Sequence, residues 1–295
     1  MDIKSKIYNL VEQLNKYRYE YYILDNPTIS DVQYDSLLRE LEALEKQYPE
    51  YIMPHSPTQE VGYFEKGALE KVTFKTPMLS LANAFSYDEI RAFHNKIIKE
   101  GIKPTYVCEL KIDGIANSAT YKKGILTVGA TRGNGLVGEN ITENIKTIKT
   151  MPKILKKDFD LEVRGEVFMR NEVFESLNQT RIESGEEPFK NPRNAAGGSL
   201  RQLDPEVTKQ RQLDAFNYIL LEPEKYGVKT QVGVLEFLHE LGFNINPHYR
   251  YCQNIDEVIA YLETWKEKRK TLNYETDGVV IKVNELELYD EIGST

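Results

Sequence analysis

The sequence predicts an α+β fold in two parts, a small helical region followed by a larger region with antiparallel sheets. In the first quarter of the chain, apolar residues recur three or four positions apart, which is the spacing of one face of an α-helix. After residue 72, short β-rich runs mix with helical stretches, without a regular strand–helix–strand alternation. A length of 295 residues fits two domains.

Residues 3–24 and 34–48 are predicted to form two antiparallel helices. Their apolar faces consist of Ile3, Ile7, Leu10, Leu14, Tyr17, Tyr21 and Leu24, and of Tyr34, Leu37, Leu38, Leu41, Leu44 and Tyr48. Between them lies DNPTIS, whose proline ends the first helix and whose Ser30, or the following Asp31, can cap the second. The proline-rich segment that follows is predicted to be an irregular linker, PEYIMPHSPTQEVG.

Charge and tyrosine content change near residue 70. Residues 1–70 hold 7 of the 38 basic residues, 13 of the 46 acidic residues and 9 of the 19 tyrosines. This shift predicts a domain boundary, with domains at 1–70 and 71–295. The net charge of −8 is unlike that of a freestanding nucleic-acid-binding domain, which is usually basic. A role on DNA therefore has to be argued from a site.

The larger region is predicted to combine five strands and four helices. The strands are TYVCELKID, GILTVGAT, LEVRGEVF, DAFNYILL and DGVVIKV, and the helices are SYDEIRAFHNKIIKEG, NEVFESLNQTRIESG, VGVLEFLHELGF and IDEVIAYLETWKEKRK. Two cysteines, Cys108 and Cys252, cannot form a disulfide framework, and no CxxC pair suggests zinc. No apolar run reaches the roughly 20 residues of a membrane helix, and the N-terminus is too polar for a signal peptide. We therefore expect a cytoplasmic protein without membrane contact.

The most informative stretch is Glu109-Leu110-Lys111-Ile112-Asp113-Gly114. Strand alternation predicts Glu109, Lys111 and Asp113 on one face. Spacing alone fits an exposed ladder of charges as well as it fits a nucleophilic lysine, whose amine attacks only when it is deprotonated. The residues of this strand do not decide between the two interpretations.

Four further segments concentrate polar residues. They are the glycine-rich turn TRGNG at 131–135, the alternating Glu162, Arg164 and Glu166, the amide-rich and arginine-rich stretch at 189–201, and the strand that carries Asp277 and Lys282. A turn of the first kind is more often a simple hairpin, and a lone lysine at a strand end is more often solvated. None of these segments alone identifies a function.

Taken in order, five segments resemble the nucleotidyltransferase motifs of bacterial NAD-dependent DNA ligases: CELKIDG, TRGNG, EVRGEVF, NPRNAAGGSLRQLD and DGVVIKV. The segment YYILDNPTISDVQYD is similar to the family's N-terminal nicotinamide-side domain, and PMLSLANAF also matches. KxDG alone is less specific, because ATP-dependent ligases and capping enzymes share it. The resemblance implies a helical domain that binds nicotinamide mononucleotide and an ATP-grasp-like nucleotidyltransferase domain with flanking helices.

The resemblance implies that Lys111 attacks the adenylyl phosphorus of NAD, releases nicotinamide mononucleotide and keeps AMP as a phosphoramidate. It places Glu109, Lys282, Tyr218, Ser80 and Leu81 around the adenine, Arg132 and Glu166 at the ribose, and Asp113 and Asp277 near the lysine and the hydration shell of Mg²⁺ or Mn²⁺. It places Arg193 and Arg201 in a polar loop near the phosphates or the nicked DNA. No protein ligand set for a metal is implied.

On the helical domain, the resemblance assigns Tyr21, Tyr22, Asp31, Tyr34 and Asp35 to nicotinamide mononucleotide. Tyrosine faces suit a planar nicotinamide cation, and carboxylates complement its positive charge. The alternative is that the tyrosines only pack the two helices together.

The chain departs from the family pattern at four positions. Tyr22 stands where many members have histidine, Asn134 where aspartate is usual, and Asn117 and Ala119 where apolar residues of other sizes are common. These departures concern the fine geometry of the site and leave the assignment of the nucleophile unchanged.

Two other functions remain open, an ATP- or GTP-using nucleotidyltransferase and a non-catalytic nucleotide-binding module. The tyrosine-rich N-terminal region argues against the first, and the presence of Lys111, Glu166 and Lys282 argues against the second. Because the family continues into further DNA-binding modules, we expect this chain to be the adenylation fragment of a monomeric ligase. The full-length protein would then act on nicked duplex DNA.

Overall fold

A computed structural model of the chain describes residues 2–59, 69–78 and 86–292. Within these ranges, a two-helix module precedes three antiparallel sheets with helices packed around them, so the α+β prediction is confirmed. None of the described helices combines the length and apolar composition that crossing a membrane requires.

The helices are α1 Ile3–Tyr22, α2 Asp31–Gln47, α3 Tyr87–Lys99, α4 Thr142–Ile145, α5 Asn171–Glu183, α6 Pro192–Leu200, α7 Pro205–Gln210, α8 Gln231–Leu241, α9 Ile255–Lys268 and α10 Tyr289–Ile292. The strands are β1 Lys71–Thr73, β2 Tyr106–Ile112, β3 Ile115–Lys122, β4 Ile125–Thr131, β5 Val137–Glu139, β6 Leu161–Phe168, β7 Asp214–Leu220, β8 Arg250–Cys252 and β9 Thr276–Val283. Single 3₁₀ turns occur at Pro49–Tyr51, Pro223–Tyr226, Arg269–Thr271 and Leu286–Leu288.

Capping residues define the starts of the two N-terminal helices. Asp2 accepts a hydrogen bond from the Ser5 amide at 2.7 Å, and Ser30 forms a reciprocal capping box with Gln33. The cap of α2 is therefore Ser30, and the helix begins three residues before the predicted start at Tyr34. The predicted apolar faces meet in a shared core of Ile7, Leu10, Val11, Leu14, Leu41 and Met53, which also includes Ile125 of β4.

The larger region contains a four-stranded sheet in the order β4-β3-β6-β7, a three-stranded sheet in the order β8-β2-β9, and the pair β1-β5. All strand pairs are antiparallel. Strand β3 was not predicted, although it lies between β4 and β6. Its sequence, IANSATYK, is rich in small and polar residues and lacks the β-branched run that marks a strand.

The two faces of the four-stranded sheet have different environments. On β6, Val163 and Val167 point into a core that also receives α6 and α8, whereas Arg164 and Glu166 face a cleft on the other side. At the end of this strand, Phe168 stacks on Phe216 with ring centres 4.9 Å apart, and both belong to the core of the three-stranded sheet. The aromatic contact joins the two sheets, and the cleft lies beside the junction.

The segment that was predicted as a polar loop folds into a helix, α6. Asn191 caps it by accepting from the Asn194 amide at 2.8 Å, and Pro192 occupies the first turn, where its missing N–H is not needed. Ala195 and Ala196 are buried against the sheet. Asparagine followed by proline is a start signal for a helix, and the amide content of the segment obscured it.

A buried ion-pair network joins the two-helix module to the sheets. Lys146 Nζ lies 2.7 Å from Glu12 Oε2 and 3.5 Å from Glu143 Oε1, and His55 Nε2 lies 3.1 Å from Glu12 Oε1. Burial alone would lower the pKa of Lys146, but the Glu143 and Glu12 carboxylates outweigh burial and hold that pKa above its ordinary value. The lysine is therefore a permanent cation between two carboxylates.

We expect Lys146→Met to reduce the free energy of unfolding by about 3 kcal/mol, because it leaves the partly buried Glu12 with His55 as its remaining partner. Lys4→Met is the matched control, since Lys4 also bridges the two regions, 3.3 Å from Asp158, but both groups are exposed. The control should lose at most about 1 kcal/mol. Urea denaturation measures both, and equal losses would contradict the importance of the buried network.

Candidate active site

A cleft of about 850 Å³ receives side chains from both larger sheets. The predicted site residues that line it are Lys111, Asp113, Arg132, Glu166, Arg193, Arg201, Tyr218 and Asp277. The structure thus brings together residues that are up to 166 positions apart in the chain. Ser80 and Leu81, also predicted for this site, lie outside the described residues.

Lys111 lies near the end of β2, where the pairing with β9 shifts register between Leu110 and Ile112. Its Nζ atom is 3.5 Å from Asp277 Oδ2 on β9, and 39% of the lysine side chain is exposed. The chain then turns at Gly114 and enters β3 in the other sheet. A Cβ atom at Gly114 would lie 2.3 Å from the Val167 carbonyl oxygen, so only glycine permits this close passage.

Glu166 faces Lys111 from the other sheet and is largely removed from water. Burial raises the pKa of its carboxyl to about 8, and the opposing effects of Arg193 and Lys111 do not offset it. Glu166 Oε2 is buried and has no hydrogen-bond partner among the described residues. An acceptor without a partner in a polar cleft indicates a place for a ligand donor such as a hydroxyl group.

The residues predicted for adenine form a second group beside the cleft. Lys282 Nζ lies 3.0 Å from Glu109 Oε2 and 4.6 Å from the centre of the Tyr218 ring. Gln231 donates a hydrogen bond to the same Glu109 carboxylate at 3.1 Å. Tyr218 lines the cleft, whereas Glu109 and Lys282 are not among the described residues of its lining. Tyr218 therefore contacts both the cleft and this ion pair.

The glycine-rich turn after β4 holds Arg132 at the rim. Gly133 has φ +56°, and a Cβ atom there would lie 2.0 Å from the Val137 carbonyl oxygen. The side-chain oxygen of Asn134 accepts from the amides of Leu136 and Val137 at 2.9 and 2.8 Å. A carboxylate in this position would accept the same two bonds, so the departure from aspartate preserves the turn.

Two of the predicted arginines are carried by α6. Arg193 lies in the first turn of this helix, and Arg201 follows its last residue. The Arg201 guanidinium lies 2.6 Å from Glu139 at the end of β5. Both arginines line the cleft, and the helix that carries them packs against the four-stranded sheet.

Arg164 also lines the cleft but was not assigned a role from the sequence. Its buried guanidinium donates to the carbonyl oxygens of Pro77 at 2.9 Å and Thr76 at 2.5 Å, and lies 3.0 Å from Glu162. The sequence did indicate that Arg164 faces the cleft, because the alternation of Glu162, Arg164 and Glu166 places all three on one face of β6.

The residues predicted for nicotinamide mononucleotide are Tyr21, Tyr22, Asp31, Tyr34 and Asp35. The rings of Tyr21 and Tyr22 contact each other edge to face at 4.9 Å and remain 49% and 41% exposed, and both aspartates are exposed. Burial raises the pKa of Tyr34, and the nearby Tyr22 and Asp35 add to this effect. None of residues 2–59 lines the described cleft, so the structure does not bring the two predicted groups together.

Comparison with protein-family models explains the composition of the cleft. The model for the NAD-dependent DNA ligase adenylation domain matches residues 66–295. The chain belongs to this family. The model for the DNA ligase-like N-terminal NAD⁺-binding domain matches residues 1–62, so an NAD-dependent ligase adenylation domain follows an NAD⁺-binding domain. The resemblance inferred from the motifs is confirmed.

Curated relatives of this chain bear the name DNA ligase. The protein of Anoxybacillus flavithermus is 48% identical over 294 residues, that of Thermoanaerobacter sp. strain X514 is 51% identical over 295 residues, and that of Bacillus subtilis is 48% identical over 293 residues. The alignments cover 99–100% of this chain and 44–45% of those relatives. The chain thus spans less than half the length of the curated relatives that it matches.

Because the pKa of Glu166 rises from an ordinary 4.5 to about 8 on folding, its burial destabilises the fold increasingly as pH rises from 4.5 to 8. The unfolded chain ionises this carboxyl in that range, whereas the folded chain keeps the proton. We expect Glu166→Gln to raise the free energy of unfolding by up to a few kcal/mol at pH 8 and by much less at pH 5.

Urea denaturation at both pH values measures this difference. Glu187→Gln, at an exposed position, is the matched control and should show no gain that depends on pH. The same modest effect of Glu166→Gln at pH 5 and pH 8 would contradict the raised pKa.

Proposed function

We propose that this chain transfers AMP from NAD to its own Lys111, releasing nicotinamide mononucleotide, as the first step of sealing nicks in DNA. The observation that carries the proposal is the position of Lys111, which is partly exposed in a charged cleft and lies opposite the partly buried Glu166. The matches to an adenylation domain and an NAD⁺-binding domain support it.

The amine of Lys111 has to lose a proton before it attacks the phosphorus. Asp277 lies 3.5 Å from this amine and pairs with it, so a cation that competes for the carboxylate would free the amine to react. Lys282 is poorly placed for that effect, because Glu109 already balances its charge at 3.0 Å. A divalent cation is the better candidate of the two.

The remaining residues of the cleft divide between the phosphate and the nucleoside. Arg132, Arg193 and Arg201 bring positive charge to the cleft, where it can stabilise negative charge on the transferred phosphoryl group. The ring of Tyr218 offers a face on which adenine can stack. Glu166 has an unpartnered oxygen that can accept a hydrogen bond from a ribose hydroxyl.

The carboxylates in the cleft fit Mg²⁺ as part of a shared coordination shell. Asp113 and Asp277 supply carboxylate oxygen donors, which hard cations prefer, whereas Glu166 keeps its proton near neutral pH. The described residues contain no group of three or more His, Cys, Asp and Glu side chains placed to hold a metal by themselves. This donor set suits an ion held by one or two carboxylates, water and substrate phosphates, where it would supply positive charge opposite the phosphates.

On the two-helix module, we propose that Tyr21, Tyr22, Asp31, Tyr34 and Asp35 bind nicotinamide mononucleotide. The exposure of the Tyr22 ring supports this role, because a ring that served only to pack the helices would be more buried. Since this group lies apart from the cleft, engaging both ends of one NAD molecule requires the module to reorient.

We further propose that the longer protein acts as a cytoplasmic monomer on nicked duplex DNA, with domains divided near residue 70. The relatives' name supports the DNA substrate. The free thiols of Cys108 and Cys252, 3.9 Å apart, fit a reducing compartment. An ATP-using enzyme and a non-catalytic binding module are the alternatives, and intact mass after incubation with NAD or ATP and Mg²⁺ distinguishes all three.

Lys111→Ala is expected to abolish covalent AMP transfer, because no amine remains to form the phosphoramidate. Lys103→Ala, at an exposed position just before the same strand, should be adenylated like the unaltered chain. Intact mass after incubation with NAD and Mg²⁺ measures the gain of AMP, and circular dichroism checks the fold. A Lys111→Ala protein that still gains one AMP would show that another residue is the nucleophile.

Tyr22→Ala and Asp35→Ala are expected to slow adenylation by NAD, because orientation of the leaving nucleotide contributes to the rate. Tyr251→Ala removes a similarly exposed ring from β8 and should leave the rate unchanged. Single-turnover adenylation and a thermal melt are measured for each variant. A lower melting temperature for Tyr22→Ala with an unchanged rate would show that Tyr22 only packs the helices.

A further inference from the structure

Residues 74–78, here called the wall, reach the cleft at Met78 and are held from two directions. On one side, the amides of Phe74 and Met78 donate to the carbonyl oxygens of Leu136 and Gly135 at 2.9 and 2.8 Å. On the other side, the segment meets the side chain of Arg164 on β6. Met78 is itself buried and lines the cleft. The position of this wall therefore depends on the glycine-rich turn and on one arginine.

Strand pairing cannot replace the arginine at this point. Pro77 has no N–H, so the segment cannot continue a regular ladder of backbone hydrogen bonds past this residue. Arg164 donates instead to two consecutive carbonyl oxygens, those of Thr76 and Pro77, at 2.5 and 2.9 Å. The planar guanidinium has several fixed N–H donors and can satisfy both acceptors at once, which the single ammonium of a lysine does less well.

The charge of Arg164 is balanced where it is buried. Its guanidinium lies 3.0 Å from Glu162 and 5.7 Å from the centre of the Phe74 ring. A buried cation is costly unless paired, and an apolar side chain of similar size often serves a core equally well. Arg164 also donates hydrogen bonds to two carbonyl oxygens, which an apolar side chain could not do.

We propose that Arg164 is a positioning residue for adenylation, which fixes the wall at residues 74–78 so that the cleft fits the nucleotide before reaction. This inference rests on the proposed function and adds a residue to it. Arg164 acts on NAD through the wall, and Lys111 lies on a different strand. Its loss therefore weakens NAD binding and leaves the reaction of bound NAD nearly unchanged.

The test compares Arg164→Lys with the matched control Arg170→Lys. Arg170 lies two residues beyond β6 and pairs with Glu172 and Asp214 at 2.9 and 3.1 Å, but it is not among the described residues lining the cleft. Single-turnover adenylation is measured over a range of NAD concentrations, together with a thermal melt.

For Arg164→Lys we expect the half-saturating NAD concentration to rise about tenfold, as for the loss of one charge-assisted hydrogen bond, while the maximal rate changes less than about threefold. Arg170→Lys should change neither. An unchanged half-saturating concentration, or a loss confined to the maximal rate, would overturn the proposal even if the melting temperature fell.

Met78→Ala provides a second variant that leaves Arg164 in place. It removes the side chain through which the wall contacts the cleft, and it should also raise the half-saturating NAD concentration with little change in the maximal rate. If Arg164→Lys does not fold, this variant decides the role of the wall, and unchanged NAD dependence would overturn it.

Calorimetric titration of NAD into Lys111→Ala and into the double variant Lys111→Ala/Arg164→Lys separates the two proposals. A failure of the unaltered chain to become adenylated would overturn the proposed function alone. Equal NAD affinity of the two Lys111→Ala proteins would overturn the positioning role alone, because neither measurement requires the covalent step.

Discussion

The close passage of the chain at Gly114 is the constraint on which the cleft depends. Strand β2 belongs to one sheet and β3 to another, and the turn between them runs against the backbone of β6, where a Cβ atom would lie 2.3 Å from the Val167 carbonyl oxygen. This passage brings Lys111 opposite Glu166. The stacked rings of Phe168 and Phe216 then fix the junction of the sheets. Backbone packing thus sets the geometry before any charged group contributes.

One titratable group of the cleft, Glu166, is not fully partnered within the part of the chain that the structure describes, which lowers the stability of the fold when no ligand is bound. The Oε2 atom of Glu166 is buried without a partner among the described residues, and the pKa of this carboxyl is raised to about 8. By contrast, Glu109 and Lys282 pair with each other at 3.0 Å. Groups that serve only stability are usually satisfied within the protein. The unpartnered oxygen of Glu166 is therefore consistent with its proposed contact to the ribose, and the adenine-side role of Glu109 and Lys282 stays a prediction.

The sequence predicted the features that depend on local patterns. Helical spacing identified the two N-terminal helices, and the ordered motifs identified Lys111, because both signals lie within short stretches of chain. Strand β3 was missed because its small and polar residues give no strand signal in the sequence. They form a strand through pairing with β4 and β6, which lies outside any local pattern. Arg164 was seen in the alternation of β6, but its role depends on carbonyl groups 87 and 88 residues away. For helix α6 the local signal was present, since Asn-Pro marks a helix start. The polar composition of the segment led instead to the prediction of a loop.

The two-helix module contacts the sheets largely through polar groups, and this affects how easily it can move during the proposed reaction. Its contacts with the sheets include the Lys146 network, while the only β4 side chain in its described buried core is Ile125. Ion pairs fix the orientation of the module closely. Their net contribution to docking is small, however, because the charged groups lose their hydration when they pair. Separating the module from such a polar surface therefore costs less free energy than separating it from an apolar one. The proposed nicotinamide side of the NAD site, at the exposed Tyr22, lies apart from the cleft. A module held mainly by apolar contacts would stay in that position and keep the nicotinamide side separated from the cleft. Polar docking is therefore compatible with both a defined resting orientation and the reorientation that the proposed reaction requires.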